Sequence, residues 1–110
     1  MNNVDDAKKI ILMLCAKKNL AFHEGEWSAD YKIDWSSEFS TLMLDMLGDI
    51  EKLNAGIKGG DDVLSVAAIT MARIRFLKLS DFFFDIHEDF EKLLSMNDIE
   101  WPKIPDDYKY

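Results

Sequence analysis

The chain has few cysteines and few basic side chains, and it has no long uncharged run. Its single cysteine, Cys15, cannot form an internal disulfide, so a disulfide-stapled fold is excluded and a reducing compartment is favoured. Its longest uncharged stretch, residues 63–72, is far shorter than the ~20 residues of a membrane span. No positively charged leader opens the chain at residues 1–6. These absences favour a cytoplasmic protein, and a bacterial source fits.

Basic residues are outnumbered, with 13 of them against 21 acidic residues and a formal net charge of −8. A field of this sign repels phosphate, so nucleic acid and membrane surfaces are disfavoured as direct partners. A basic protein partner fits this charge. The alternative explanation is that the acids only keep the chain soluble.

Catalytic motifs are also missing. The chain has no glycine-rich phosphate loop, nucleophile elbow or Cys–His arrangement, and it is therefore predicted not to be an enzyme and to need no cofactor. His87 and Glu91 are four residues apart and share a helix face, as a chelating pair must. A second histidine and inward carboxylates on other helices are absent, so no metal site is predicted. A metal-assisted enzyme built on these carboxylates remains an alternative hypothesis.

Hydrophobic spacing is the strongest positive signal in the chain. It predicts an all-α fold, a single acidic domain over residues 1–110 built as a bundle of about four helices. A long loop follows the first helix, and an extended tail follows the last because proline disfavours helix in the residue before it. Asp34, Asp61 and Ser80 are the predicted N-caps. The predicted helices span residues 4–18, 35–58, 62–79 and 81–96.

Two features predict how these helices pack. The third predicted helix is apolar on most sides, which is typical of a helix at the centre of a bundle. Gly48 interrupts the second helix at a cost of up to about 1 kcal/mol relative to alanine, which indicates a close crossing with a neighbour.

The acidic excess coincides with aromatic residues in the long loop. Tryptophan and tyrosine dominate interface hot spots, and surrounding acids steer a basic partner. The alternatives are that Trp27 and Trp101 cover the core and that the acids form solvated faces. The predicted partner-binding residues are Glu24, Glu26, Trp27, Asp30, Tyr31 and Asp34 in the loop, with Asp85, Glu88 and Asp89 on the fourth helix.

The leading hypothesis is a small acidic binding or inhibitor protein that neutralises a basic partner. An immunity protein against a bacterial nuclease toxin is the most plausible case by physical analogy, because a nuclease site must be basic to hold phosphates. The alternative is a self-associating structural or assembly protein without catalytic activity, which the run Phe82-Phe83-Phe84 favours. A monomer or a weak dimer is expected.

Overall fold

The computed structural model describes residues 1–110 and contains helices but no strands, which confirms the all-α class. The structure has three α-helices where about four were expected. The connection between the first two contains a short 3-10 helix, Glu24–Glu26. The α-helices are α1, Asp5–Lys17; α2, Trp35–Gly59; and α3, Asp62–Ser95.

The prediction of separate third and fourth helices is wrong, because α3 runs unbroken through Ser80. No glycine or proline lies within α3. Serine is a good N-cap, but a helix interior tolerates it. The apolar positions Leu79, Phe82 and Ile86 keep their helical phase across the expected break. Packing against α2 therefore continues through Ser80, and the local capping signal has no effect.

Helices α2 and α3 form a long antiparallel hairpin. Gly60 ends α2 with a left-handed backbone (φ 65°), and the Asp61 N–H donates to the Gly56 carbonyl oxygen at 2.8 Å. The Asp61 side chain then caps α3 by accepting from the Leu64 N–H at 3.0 Å. The molecule extends 60 Å along its longest axis, and its radius of gyration is 19.5 Å. A compact chain of this length would have a radius near ~13 Å, so much of the hairpin projects from the rest of the molecule.

A heptad pattern describes how the two hairpin helices meet. We assign positions a and d to the stripe by which the two helices face each other, and every residue at these positions is buried or half-buried. At the base of the hairpin, Asp89 and Leu93 continue this stripe of α3 past the start of α2 and contact the loop and the tail instead. In α2 these are Phe39, Met46 and Leu53 at a, with Trp35, Leu42, Asp49 and Gly56 at d. In α3 they are Ser65, Ala72, Leu79, Ile86 and Leu93 at a, with Ala68, Arg75, Phe82 and Asp89 at d.

The base of the hairpin carries the main hydrophobic core. Helix α1, the long loop and the C-terminal tail all pack there, and the Trp101 indole N–H donates to the Leu93 carbonyl oxygen at 2.8 Å. Cys15 packs in this core as a small hydrophobic residue, and burial raises the pKa of its thiol. The buried core residues are Ile11, Cys15, Tyr31, Trp35, Ile86, Leu93 and Ile99.

The projecting part of the hairpin consists of two helices only. The prediction that the third helix would occupy the centre of a bundle is therefore wrong for its first half, where Val66 and Ile69 are exposed. The predicted close crossing at Gly48 is also wrong, since an added Cβ there would meet nothing within 4 Å. The close approach occurs at Gly56, where a Cβ would lie 2.9 Å from the Ser65 backbone nitrogen.

A charged pair lies within the seam of this two-helix part. The Arg75 Nε atom lies 3.3 Å from the buried Asp49 carboxylate, and the Arg75 Nη1 atom lies 3.9 Å from Asp45. Breaking a buried pair of this kind leaves an uncompensated charge, so the pair favours one register of α2 against α3.

Candidate functional site

The loop between α1 and α2 is held to α3 by the buried carboxylate of Asp89. This side chain is 1% exposed and accepts three hydrogen bonds from the loop. The donors are the Ser28 N–H at 2.7 Å, the Ala29 N–H at 3.0 Å and the Tyr31 hydroxyl at 2.7 Å. Tyr31 is itself buried, and burial together with the Asp89 charge raises the pKa of its hydroxyl. Asp89 and Tyr31 therefore bind each other inside the fold.

Trp27 is half-buried against the same anchor. Its ring stacks on Phe22 with centroids 5.3 Å apart and meets Tyr31 edge-on at 6.2 Å. The Lys92 ammonium covers the other side, 4.5 Å from the ring centroid, and also donates to the Glu26 carbonyl oxygen. The ring is therefore shielded from solvent on two sides by residues of the same chain.

The remaining predicted loop residues are exposed but take part in local structure. Glu24 forms a surface ion pair with Lys32 at 3.9 Å, and Asp30 accepts from the Lys32 N–H at 2.9 Å. Asp34 is the N-cap of α2, as predicted, and accepts from the Ser37 N–H at 2.8 Å. A partner could still reach these carboxylates, so their predicted role in binding stays a prediction.

Asp85 lies in an acidic groove that runs between α2 and α3 beside the loop. Burial, followed by the charges of Asp81, Asp89 and Glu88, raises the pKa of the Asp85 carboxyl. A cation placed in the groove would relieve this repulsion. The groove encloses about 500 Å³ and is lined by Ala29, Asp30, Ile33, Trp35, Glu38, Thr41, Leu42, Asp45, Lys78, Asp81, Phe82 and Asp85.

His87 lies on the exposed side of α3. Its Nδ1 atom lies 3.5 Å from a Glu88 carboxylate oxygen, and its Nε2 atom lies 3.9 Å from Glu91. No group of three or more histidine, cysteine, aspartate or glutamate side chains is arranged to hold a metal ion. The arrangement around His87 amounts to surface ion pairs, which contribute little to stability.

Asp5 is a structural carboxylate that the sequence analysis missed. It is buried at the start of α1, accepts from the Trp35 N–H at 2.9 Å and lies 3.0 Å from the Lys8 ammonium. Burial acts to raise the pKa of Asp5, but these bonds outweigh it and the pKa is lowered. The sequence places Asp5 in a first helical turn, where an acid is expected for the helix dipole alone, so it carries no signal of this contact.

A continuous apolar surface on one side of the hairpin was not predicted from the sequence either. We call it the apolar face and define it by heptad position e, which follows d in both helices. Its four α3 members are between 41% and 53% exposed. The apolar face consists of Met43, Ile50 and Ile57 from α2 with Ile69, Phe76, Phe83 and Phe90 from α3. A seven-residue apolar repeat was the available signal, since Ile69, Phe76, Phe83 and Phe90 are spaced by seven.

The contacts of the hairpin show that these residues share one side. In an antiparallel pair, equal heptad letters fall on the same flank of the seam. The acidic groove confirms this for the other flank, because it collects position g from both helices: Glu38 and Asp45 from α2 with Lys78 and Asp85 from α3. On the apolar flank, the rings of Phe39 and Phe83 meet at 5.6 Å. The groove acids and the apolar face thus lie on opposite flanks of the hairpin.

Comparisons with models of known protein families, with curated proteins and with solved structures find no match. None of the three helices combines the length and the hydropathy that crossing a bilayer requires. The features of the molecule that bear on function are therefore the two flanks of the hairpin.

Proposed function

We propose that this chain is a non-catalytic assembly protein that acts by packing the apolar face of its α2–α3 hairpin against another helical surface. The observation that carries the proposal is the continuous row of large apolar side chains across both helices, all of them exposed except the half-buried Met43. Burial of such side chains drives association, and helices with apolar residues at a, d and e are typical of bundles with more than two helices.

The size of the apolar face supports an interaction role. With ~200 Å² for a fully exposed large side chain, the exposed fractions of its six exposed residues leave roughly 600 Å² open to solvent, and the seventh, Met43, is half-buried. That is at the upper end of the largest apolar patch on an ordinary monomer, and patches of this size mark interaction sites. Single exposed apolar residues need no explanation, but an uninterrupted row across two helices does.

The rest of the molecule is suited to presenting this face. Helix α1, the loop anchored by Asp89 and the tail consolidate the base of the hairpin. The Gly60 turn and the Asp49–Arg75 pair join the two projecting helices in one register. The base therefore supplies stability, and the projecting hairpin supplies the contact surface.

Site-specific photo-crosslinking in the cell that expresses the chain tests this proposal. A photoreactive phenylalanine analogue replaces Phe76 on the apolar face or, as the matched control, Phe84 on the outer side of the same helix. The two side chains are 49% and 57% exposed, so their intrinsic accessibility is similar. We expect crosslinked adducts from position 76 and few from position 84. Absence of adducts from position 76, or equal yields from both positions, would contradict the proposal.

A second candidate function is favoured by the acidic groove. We propose that this groove, with Asp85 and Glu88, receives a basic protein, which is the behaviour expected of a toxin-neutralising immunity protein. The geometry of the groove supports it, because Glu38, Asp45, Asp81 and Asp85 line one surface. Burial first, and then the charges of neighbouring acids, raises the pKa of Asp85, and a cationic partner would relieve the part that comes from those charges. Acidic flanks of this kind raise the association rate of basic partners.

Co-purification at low and high salt tests this second candidate. A basic partner retained by the wild-type chain should be lost as salt screens the charges. The charge reversal Asp85→Lys should abolish retention, whereas Glu51→Lys, an exposed position away from the groove, should preserve it. Retention that is unaffected by Asp85→Lys would rule the groove out as the binding site.

A further inference from the structure

We infer that the occupant of the apolar face is a second copy of this chain, so that two hairpins pack face to face as a four-helix arrangement. This inference rests on the proposed function and names the partner at the same surface. Three observations support a second copy: the distribution of charge permits it, the side chains of the two helices are complementary in size, and the area is sufficient for a dimer.

The distribution of charge permits two copies to approach by this face. Each copy has a formal net charge of −8, so two copies repel each other at long range. The apolar face itself contains no charged residue, and the groove acids Asp45, Asp81 and Asp85 lie on the opposite flank. Face-to-face packing keeps these acids far apart, and a strongly basic partner would instead be drawn to the groove.

The side chains of the face are complementary between its two halves. The α3 half carries three phenylalanines, Phe76, Phe83 and Phe90, and the α2 half carries the smaller Met43 and Ile50. A two-fold axis parallel to the hairpin places α3 of one copy over α2 of the other, so that Phe76 and Phe83 meet the smaller side chains of α2, whereas Phe90 lies beyond the start of that helix. Such interfaces are isologous, and self-complementarity of one patch is what closed two-fold symmetry requires.

The buried area is sufficient for a specific dimer. Roughly 600 Å² from each copy gives about 1,200 Å² before any rim residue is counted, which reaches the lower bound for stable interfaces. Positions a, d and e would then all be covered in both helices. Other apolar side chains of the hairpin are exposed without forming such a row on both helices: the outer position f of α2, for example, carries Leu44 among Ser37, Glu51 and Lys58. Position e is the one at which large apolar side chains repeat in both helices, from Met43 to Ile57 and from Ile69 to Phe90.

Sedimentation equilibrium of the purified full-length chain tests the inference. We expect wild-type protein at tens of micromolar to sediment at about twice its 12.7 kDa chain mass. Phe76→Glu should raise the dimer dissociation constant by roughly 30-fold or more, because it places a charge in an apolar interface centre. Phe84→Glu, the same substitution at a similarly exposed position on the outer side, should leave that constant unchanged within about 3-fold.

A second matched pair guards against misfolding of one variant. Ile69→Glu on the apolar face should dissociate the dimer, and Leu77→Glu on the outer side should not, with helicity by circular dichroism equal in all four variants. The dimer is expected to form already at tens of micromolar. A wild-type chain that is still strictly monomeric at about 100 µM would therefore overturn the inference. So would dissociation by Phe84→Glu with retention by Phe76→Glu.

Failure here is distinguishable from failure of the proposed function. If the purified chain is monomeric while position 76 still crosslinks in cells to a protein of another mass, the apolar face is an interaction surface but its occupant is not a second copy. If position 76 gives no adduct in cells and the purified chain is also monomeric, both the function and the inference are refuted.

Discussion

The Asp89 anchor offers the sharpest test of how the fold is held together, through the substitution Asp89→Asn. The carboxylate accepts from the Ser28 N–H through Oδ1, and from the Ala29 N–H and the Tyr31 hydroxyl through Oδ2. An asparagine has the same shape but only one oxygen. In either orientation of the amide, its NH₂ group faces a backbone N–H, so at least one donor loses its acceptor.

The expected cost follows from these three bonds. A hydrogen bond to a charged group contributes about 1.5–3 kcal/mol, and a buried donor left without an acceptor adds a desolvation penalty. Asp89→Asn should therefore lower the free energy of unfolding by about 3 kcal/mol. Tyr31→Phe removes only one of the donors and should cost about 1–2 kcal/mol. Because the two residues share a bond, the double variant should lose less than the sum, by about 1 kcal/mol.

Urea unfolding at one fixed protein concentration, followed by circular dichroism and tryptophan fluorescence, measures these differences. With a slope near ~1.5 kcal/mol/M, a loss of ~3 kcal/mol moves the midpoint by roughly 2 M. Glu91→Gln is the matched control, since it removes a carboxylate charge from an exposed position on the same helix. It should change stability by less than about 0.5 kcal/mol.

The result that would refute this reasoning is an Asp89→Asn variant as stable as Glu91→Gln. That outcome would mean that the loop contributes no net stabilisation through the buried carboxylate. Simple additivity of Asp89→Asn and Tyr31→Phe would refute the narrower statement that the hydroxyl donates to that carboxylate.

Other predictions address the hairpin turn and two carboxyl groups. Gly56→Ala should lower stability by about 2 kcal/mol, because the new Cβ would lie 2.9 Å from the Ser65 nitrogen. Gly48→Ala has open space and should raise stability by up to about 1 kcal/mol in the same chemical denaturation assay; equal effects would contradict the close approach. Because the pKa of Asp5 is lowered in the fold, its ionised form stabilises above about pH 4 and this contribution is lost as pH falls through the folded pKa. The stability gap between wild type and Asp5→Asn should therefore close in acid, and a gap independent of pH would contradict it. The pKa of Asp85 is raised, so its ionised form opposes folding at pH 7. After allowance for solvent screening, Asp85→Asn should be more stable there by less than about 1 kcal/mol, which thermal unfolding measures; a less stable variant would contradict it.

The helix ends show what local sequence signals can predict. Asp34 and Asp61 were predicted as N-caps, and both are confirmed. Each depends on interactions within four residues of the helix end, which are visible in the sequence. Ser80 carries the same kind of signal, but there the packing of α3 against α2 continues and prevents a helix end.

The loop between α1 and α2 shows what local sequence signals cannot predict. Glu24, Asp30 and Asp34 are exposed, but Asp89 and Tyr31 are buried against each other. An acid next to aromatic residues has the same pattern whether it faces a partner or forms an internal hydrogen bond. The contacts that decide between these cases join residues 58 to 61 positions apart, a separation at which no periodicity in the sequence reports on pairing.

The apolar face was not predicted for the same reason, since its exposure depends on contacts between distant segments. By itself the sequence determined the helical class, most helix ends and the positions of the apolar stripes, because these follow from local propensity and from a period of 3.6 residues. Only the tertiary structure decided which of these stripes are buried against another helix and which stay exposed. Helix α1 packs at the base of the hairpin, so the row from Ile69 to Phe90 is left open to solvent. A hydrophobic period in the sequence shows which side of a helix is apolar. Which segment buries that side depends on how distant parts of the chain meet in space.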